Sequence, residues 1–252
     1  MVYKLSQYSK YLGSRLLARY YKNKFNVEVP NLFLGEAAEE ILSIGNHIKK
    51  TPILLDVGAN VGEYSYLFHK VLGCKKVICV EPNDSLNDDI HKNLKDVEHT
   101  ILNKVVTDKI GEVSFFIHTD SQMSSMVDID ESKYQELITW DDTDTIKEVK
   151  LQSTTLKEIV DSVEDKEDDI FLKIDTQGNE LDVLKSGAGS LNQVKYILVE
   201  YMFNSVYKQK NSFNELFQFF VDEGYESLGP TNFNRRGDLS VGAVNFLFER
   251  KN

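Results

Sequence analysis

The stretch LLDVGANVGEYS, residues 54–65, decides the fold of this chain. A short apolar run, Ile53–Val57, leads into the turn Gly58–Gly62, and a helical pattern follows directly to Leu72. Glycine at both ends of the turn supplies backbone freedom and allows close approach to a ligand. The N-terminus of the following helix offers N–H groups to a negative group. The stretch therefore predicts a strand–turn–helix unit that binds a ligand.

An acidic side chain follows the next predicted strand. Lys76–Val80 is mostly apolar, and Glu81-Pro82 comes directly after it, 19 residues beyond Gly62. A carboxylate in that place can accept hydrogen bonds from both ribose hydroxyls of a nucleoside. The turn and the acid, in strand–helix–strand order, predict a nucleoside-binding site.

The nucleoside belongs either to NAD or to S-adenosylmethionine (SAM). Dinucleotide sites favour the spacing G-x-G-x-x-G, with the pyrophosphate at the helix start, whereas this turn has Asn60 between Gly58 and Gly62. Asp56, just before the turn, would repel pyrophosphate but could hold the cationic amino group of a methionine moiety. The residues favour SAM. The alternatives are an NAD-dependent oxidoreductase and a non-catalytic SAM-binding protein.

A second signal lies in FLKIDTQGNELDVLKSGAGSLNQVKYILVEY, residues 171–201. Strand alternation places Lys173 and Asp175 on one face, and Glu200 ends the following predicted strand. Because open α/β sheets bind ligands at the carboxyl ends of their strands, both acids are expected to converge on the nucleoside site. Lys173 either pairs structurally with Asp175 or belongs with it to the catalytic group. Glu180 either caps the next helix or has a functional role.

If SAM gives its methyl group to an acceptor hydroxyl, a base that removes the hydroxyl proton would assist the transfer. Asp175 is the first candidate, Glu200 the second and His118 the third. In a variant, Asp175 and Glu200 hold Mg²⁺, which would lower the pKa of the hydroxyl instead. Two carboxylates alone identify no metal.

A polar, acidic connection covers residues 119–148 and contains Ser124 and Ser125. Connections of this length are usually functional or disordered. A short helix is predicted near Lys133–Ile138. The serine pair either contacts the acceptor substrate or belongs to a polar surface loop.

Strands and helices alternate along the rest of the chain, which predicts βαβ units and a parallel sheet buried on both faces. A third strand is predicted at Thr100–Val106, an extra strand at Val113–His118, and two late strands pair as a hairpin. A helix is expected from Glu36 to Lys49. Residues 1–50 are predicted to be a helical extension, and residues 51–252 the catalytic domain.

The formal net charge of −11 disfavours a nucleic-acid partner, which usually requires a basic surface. Residues 1–27 nevertheless carry only basic charges, and Tyr and Leu recur among them at helical spacing. This segment is predicted to pack on its own acidic domain; contact with an anionic membrane surface is the alternative. The oligomeric state stays open.

The two cysteines, Cys74 and Cys79, are too few for a disulfide framework and lack CxxC spacing. Apolar neighbours surround each of them, so buried free thiols are expected. A reducing cytoplasm is the expected location.

Taken together, these segments resemble the FkbM-like methyltransferase family. In the family's order, the matching pieces are DVGANVGEYS, VEPN, NKVVTDKIGEVSFF, the serine pair in QMSSM, STTL, KIDTQGNELDVLKSGA and ILVEY. They cover residues 52–201, and the basic N-terminal segment lies outside them.

The resemblance implies a class I fold: an α/β, doubly wound, mostly parallel seven-stranded sheet with helices on both faces and a C-terminal antiparallel hairpin. It implies SAM as cofactor and O-methylation, commonly of a sugar or natural-product hydroxyl, so the expected partner is a small-molecule or glycan acceptor. Gln177 stands where many relatives carry an acidic residue. The cofactor contacts expected from the resemblance and its first motif are Asp56, Gly58, Asn60, Gly62, Tyr64 and Glu81, with Asn103 and Asp108 in the segment near the adenine.

Overall fold

The computed structural model describes residues 19–20, 22–24, 32–48, 50–130, 132–133, 146–164, 168–203, 205–208, 211–235 and 241–251. Most of the predicted basic N-terminal helix lies outside these ranges, although residues 19–20 and 22–24 are helical. The helix predicted near Lys133–Ile138 also lies outside them, except for its first residue. Within the described part, no helix is both long and apolar enough to cross a membrane.

Strands and helices alternate over the described part of the chain. Its strands are β1 (Ile53–Val57), β2 (Lys76–Val80), β3 (Glu98–Leu102), β4 (Val105–Val106), β5 (Glu112–Ile117), β6 (Lys147–Thr154), β7 (Ile170–Ile174), β8 (Val194–Met202), β9 (Tyr225–Arg235) and β10 (Val241–Arg250). Its α-helices are α1 (Leu32–Ile44), α2 (Glu63–Leu72), α3 (Asn87–Asn93), α4 (Leu156–Asp161), α5 (Glu180–Ser186) and α6 (Phe213–Asp222).

Seven strands form the central sheet, in the order β3-β2-β1-β7-β8-β10-β9. The five strands from β3 to β8 are parallel, whereas β10 runs antiparallel to both β8 and β9. This arrangement confirms the predicted doubly wound sheet with its C-terminal hairpin. The chain moves outward from β1 in one direction through β2 and β3, and in the other through β7 and β8. The strand order therefore reverses between β1 and β7.

Each face of the central sheet is covered by its own set of helices. Alternate residues of β1 point to opposite faces, so Leu54 packs with α1, α2 and α3, whereas Leu55 packs with α4, α5 and α6. On the second face, Phe220 of α6 stacks on Phe248 of β10 with ring centroids 3.7 Å apart. Burial of both faces explains why the parallel strands are almost continuously apolar.

The prediction of one continuous third strand over Thr100–Val106 is wrong. β3 ends at Leu102, and β4 belongs to a separate three-stranded sheet with the order β4-β6-β5. The chain turns between them because the Asn103 amide donates to the backbone oxygen of Glu81 at 2.8 Å and pairs with Asn87. A polar side chain that binds the neighbouring segment thus interrupts an apolar run.

Helix α1 begins and ends earlier than predicted, and it packs into the main core. Ala38, Ile41 and Ile44 are buried in the same cluster as Leu54 and Phe68. Helix α1 therefore contributes apolar surface, from Ala37 to Ile44, to the core of the sheet.

Both cysteines are free and buried, as predicted. Burial raises the pKa of the Cys74 thiol to about 12 and also raises that of Cys79. Neither thiol forms a reactive thiolate near neutral pH.

Candidate functional site

A cavity of about 400 Å³ opens at the carboxyl ends of β1, β2, β7 and β8. This volume lies in the range of small-molecule sites. Its position, beside the point where the strand order reverses, is where open α/β sheets bind ligands. The cavity extends from the residues after β2, past the turn after β1, to the hairpin β9–β10.

Backbone hydrogen bonds, one of them to β2, hold the turn between β1 and α2. Gly58 and Asn60 have positive φ angles of 84° and 49°, and Gly62 has 76°. The Gly58 amide donates to the Val80 backbone oxygen at 2.9 Å, and the Gly62 amide donates to Ala59 at 2.8 Å. Gly58 and Asn60 line the cavity, whereas Gly62 does not. The turn therefore presents its first half to a ligand.

Glycine at position 58 is required by packing inside the protein. A Cβ atom there would lie 1.8 Å from the backbone oxygen of Asp175. The exits of β1 and β7 thus approach each other more closely than any side chain allows. The sequence predicted that Gly58 lets the backbone approach a ligand closely. In the structure, the close approach at Gly58 is between the ends of β1 and β7.

Glu81 occupies the place expected of a ribose-binding acid. Its Oε2 accepts from the Asn60 amide and its Oε1 from the Asn83 amide, both at 2.9 Å. These bonds orient the carboxylate beside the turn, and Glu81 lines the cavity. Burial raises the pKa of this carboxyl to about 7, although the two backbone amides oppose the shift.

The predicted contact between Asp56 and a methionine amino group has no support in this geometry. Asp56 is completely buried and is not among the cavity-lining residues. Its Oδ2 accepts from the Ser65 hydroxyl at 2.6 Å, and its Oδ1 lies 3.2 Å from Lys173 Nζ. Asp56 and Lys173 are direct neighbours across β1 and β7, so the lysine neutralises the acid. The geometry favours a structural role for Lys173, but its nearer partner is the buried Asp56, and the pairing expected with Asp175 is the longer of the two.

Lys173 also lies 3.4 Å from Asp175 Oδ2. Burial alone would lower the pKa of Lys173, but the carboxylates of Asp56 and Asp175 outweigh it and raise that pKa. Lys173 therefore stays charged and acts as a cationic bridge between a buried acid and an accessible one. The Asp175 side chain is 33% exposed, whereas that of Asp56 is 0% exposed.

Asp175 and Glu200 converge as predicted, with Gln177 between them. Gln177 Nε2 donates to Asp175 Oδ1 at 2.7 Å and to Glu200 Oε2 at 3.1 Å. All three side chains line the cavity. Burial, followed by the negative charge of Asp175, raises the pKa of Glu200 well above its usual range. The pair therefore contains one accessible acid and one acid that retains its proton more readily.

This donor set does not fit a divalent cation. The amide of Gln177 and the ammonium of Lys173 already direct N–H groups at the two carboxylates. Mg²⁺ requires near-octahedral oxygen coordination. Among the described residues, no group of three or more His, Cys, Asp or Glu side chains is placed to hold a metal. The Mg²⁺ variant of the mechanism has no structural support.

Glu180 fixes the loop that carries Gln177. Its carboxylate accepts from the amides of Thr176 and Gly178 at 3.0–3.2 Å and from the Thr176 hydroxyl at 3.2 Å. These bonds hold Gln177 at a φ of 58°, a conformation that is unusual outside glycine. Glu180 thus positions the loop that carries Gln177 but does not itself line the cavity.

The segment predicted near the adenine lines the cavity only in its middle. Lys104, Val105 and Val106 face it, whereas Asn103 and Asp108 do not. Asn103 is bound to the backbone after β2, and Asp108 lies 3.3 Å from the Thr107 hydroxyl. Asn103 and Asp108, which were predicted near the adenine, therefore flank the lining segment but do not line the cavity.

Only one residue of the serine pair lines the cavity. Ser124 lines the cavity and accepts from the His118 amide at 3.1 Å. Ser125 is buried outside the lining; its hydroxyl lies 2.8 Å from the Gln177 backbone oxygen and accepts from the Val127 amide at 2.9 Å. Ser125 therefore connects the polar loop to the Gln177 loop. His118, the third candidate base, is buried outside the lining as well.

We expect Ser125→Ala to lower the free energy of unfolding by about 1–3 kcal/mol, because it leaves buried backbone groups unpaired. Ser124→Ala, at a half-buried position of the same loop, serves as the matched control and should cost less. Urea unfolding of both variants measures the difference. Equal stability of the two variants would remove the connecting role from Ser125.

Residues at the hairpin end of the cavity were missed from the sequence. Glu40 of α1, Asn232 and Phe233 of β9, and Asn245 of β10 all line it. Only Glu40 carried a signal, since it lies on the helix face that Ala37, Ala38, Ile41 and Ile44 bury. A buried acid on an apolar face is unusual enough to mark a site.

Solved structures with a similar fold are distant in sequence. One is a ribosomal protein L11 methylase from Lactobacillus delbrueckii subsp. bulgaricus, with 14% identity, a TM-score of 0.46, and 89% of this chain and 81% of that chain covered. Another is TrmK from M. capricolum in complex with S-adenosylhomocysteine, with 9% identity, a TM-score of 0.48, and 84% and 67% covered. No curated protein sequence matches the chain.

The sequence matches the family model described as the methyltransferase FkbM domain over residues 56–227. The match spans more than half of the 252 residues and contains the glycine turn, Glu81, Asp175 and Glu200. The chain belongs to the FkbM methyltransferase family.

Proposed function

We propose that this methyltransferase transfers the methyl group of SAM to a hydroxyl of a small, sugar-like acceptor. The observation that carries the proposal is that the accessible carboxylate of Asp175 faces the same cavity as the glycine turn and Glu81. A nucleoside site and a candidate base thus share one space. O-methylation needs both within reach of each other.

The cavity suits SAM in shape and charge. Val80, Pro82, Val105 and Phe115 supply apolar walls for an adenine beside Glu81. The lining contains six acidic side chains and two lysines, one of them the paired Lys173: the acids are Glu40, Glu63, Glu81, Asp120, Asp175 and Glu200. Burial raises the pKa of Glu40, Glu63, Glu81 and Glu200. The accessible carboxylate of Asp175 and the ionised form of Glu81 still favour a ligand that carries a sulfonium and an ammonium over a dinucleotide with its pyrophosphate. The charge argument against NAD therefore rests on these two acids of the lining and no longer on Asp56.

SAM, when bound, supplies an already activated methyl group. The protein has to align the acceptor, exclude water and take up the hydroxyl proton. The exposure of Asp175 and its contacts with Lys173 and Gln177 support it for the last task. Glu200, whose pKa burial raises, can keep its proton and orient the acceptor by donating a hydrogen bond.

Calorimetry of the purified chain with SAM, S-adenosylhomocysteine and NAD tests the cofactor assignment. Binding of SAM and its product without NAD is the expected result. Mass spectrometry of reactions with a panel of sugars and phenols then tests the transfer to oxygen. Binding of NAD alone, or methylation confined to amines, would refute the proposal.

Binding of the product should depend on pH through Glu81. The pKa of this buried carboxyl is raised to about 7, and ribose hydroxyls donate to its ionised form, so binding should release protons below that pH. Affinity for S-adenosylhomocysteine should rise roughly tenfold between about pH 6 and pH 8 and then level off. Calorimetry in two buffers of different ionisation enthalpy counts the protons released.

The matched variant is Glu81→Gln, in which the dependence on pH should flatten and the affinity should fall. The effect of pH on the stability of the ligand-free fold has the opposite sign. The raised pKa of the Glu81 carboxyl stabilises this fold below the ordinary carboxyl pKa of 4.5, and that stability is lost as the pH rises through about 7. Affinity that is independent of pH in the wild type would exclude this role of Glu81.

A further inference from the structure

The end of the cavity beside the hairpin β9–β10 has no part in the proposed cofactor site. Glu81 follows β2, whereas β10 lies on the other side of β1, β7 and β8 in the sheet. Glu40, Asn232, Phe233 and Asn245 line the cavity there. They also lie outside the segment matched by the family model.

Glu40 organises the polar part of this end. Its Oε1 accepts from the Thr231 hydroxyl at 2.5 Å and from Asn245 Nδ2 at 3.0 Å. The residue is only 2% exposed, and burial raises the pKa of its carboxyl. These bonds join α1 to the hairpin and fix the direction of the Asn245 amide. The result is a rigid pair of a carboxyl and an amide on one wall.

The Tyr64 hydroxyl is the one buried side-chain polar atom without a hydrogen-bond partner in the described part of the chain. Tyr64 is 8% exposed and lines the cavity, and its ring lies 5.2 Å from Lys173 Nζ. After burial itself, the charge of Glu40 contributes most to raising the pKa of this hydroxyl. Buried hydroxyl groups usually have a partner. A ligand hydroxyl on the Glu40 side of the cavity would supply it.

Phe233 adds an apolar surface to the same wall. It lines the cavity, yet its side chain is 55% exposed, which is unusual for a ring of this size. An exposed ring beside fixed carboxyl, amide and hydroxyl groups matches the two surfaces of a pyranose, whose C–H face is apolar and whose rim is polar.

We propose that this end of the cavity is the acceptor subsite and that it binds the ring of an uncharged or amino sugar. Phe233 packs on the C–H face of the sugar, while Glu40 and Tyr64 hydrogen-bond its hydroxyls. The inference rests on the proposed function and deepens it, because it places the acceptor between the hairpin and Asp175. The accessible carboxylate of Asp175, which lines the same cavity, disfavours sugars that carry phosphate or carboxylate.

The test is a titration of the full chain, with and without saturating S-adenosylhomocysteine, followed by saturation-transfer NMR. The probes are methyl glucoside, methyl galactoside, methyl mannoside and glucosamine, with glucose 6-phosphate and glucuronate as anionic counterparts. Phe233→Ala should weaken binding of the neutral or amino sugars roughly three- to tenfold. Phe203→Ala is the matched control, since Phe203 is 45% exposed and does not line the cavity. Its affinity should equal that of the wild type.

Tyr64→Phe separates binding from folding. Removal of an unpaired buried hydroxyl should leave the melting temperature unchanged or raise it, while sugar binding weakens roughly three- to tenfold. The family resemblance made Tyr64 an expected cofactor contact, whereas a hydroxyl that faces the acceptor should leave the affinity for S-adenosylhomocysteine unchanged. Weaker product binding with unchanged sugar binding would return Tyr64 to the cofactor site and overturn its place in this subsite.

Failure of the inference and failure of the proposed function give different results. Sugar binding by none of the probes, equal binding of anionic probes, or equal loss in Phe233→Ala and Phe203→Ala would each overturn the subsite. Absence of product binding with intact sugar binding would instead overturn the proposed methyl transfer and leave the sugar site in place.

Discussion

Asp175→Asn should lower the rate of methyl transfer roughly 10²–10⁴-fold while affinity for SAM stays within a factor of about three, because the variant removes the base and keeps the shape of the site. The Asp175 carboxylate is accessible in the cavity and is held by Lys173 and Gln177. Formation of S-adenosylhomocysteine measures the rate, and calorimetry measures the affinity. A loss of this size in kcat, with an unchanged dissociation constant for SAM, identifies a group that acts only in the transition state.

The control for this variant is Asp182→Asn. Asp182 lies in the first turn of α5, close in sequence to Asp175, but it does not line the cavity. Its rate should remain near that of the wild type. Glu200→Gln should reduce the rate less than Asp175→Asn, since Glu200 favours its protonated form. A nearly normal rate in Asp175→Asn would remove Asp175 from the role of base.

Gly58→Ala should destabilise the fold by about 3–5 kcal/mol, through overpacking and strain of a left-handed backbone together. The added Cβ would lie 1.8 Å from the Asp175 backbone oxygen, so β1 and β7 would have to separate at their exits. That shift also moves Asp175 and the turn that lines the cavity. Product binding should therefore be lost along with stability.

Gly73→Ala provides a matched control for Gly58→Ala. Gly73 has a φ of 73°, close to the 84° of Gly58, but no atom lies within 4 Å of its Cβ position. Both variants therefore carry the strain of a left-handed backbone, but only Gly58→Ala adds a steric clash. We expect a loss of about 1–2 kcal/mol for Gly73→Ala and intact product binding. Thermal unfolding of the two variants measures the loss of stability in each. Equal losses would contradict the steric argument.

Local patterns determined the core of the fold and the approximate place of the site. The bounds of β1, β2 and β7 follow from apolar runs that end at glycine or acidic residues. Because carboxyl ends of parallel strands meet at one edge, the positions of Glu81, Asp175 and Glu200 in the sequence were enough to predict that they line one cavity. These features depend on residues close together in the chain, so a single sequence contains them.

Tertiary contacts decided which of the predicted residues face the cavity. Asp56 lies near the end of β1 and Glu81 directly follows β2, yet Asp56 is neutralised by Lys173, 117 residues away in the chain. Strand alternation gives the face of a residue, but it does not reveal whether a neighbouring strand places an opposite charge beside it. The separation of Ser124 from Ser125 has the same origin, since Ser125 binds a loop more than 50 residues distant.

The sequence by itself determined the α/β fold and the glycine turn, because these follow from short-range periodicity and turn chemistry, and its ordered set of motifs carried the resemblance to the family. Only the tertiary structure decided that Gln177 separates the two acids, that α1 and the hairpin contribute Glu40, Phe233 and Asn245 to the cavity, and that the chain changes sheets after β3. The physical reason is that partners far apart in the chain are selected by the packing and register of whole elements, which no local pattern specifies.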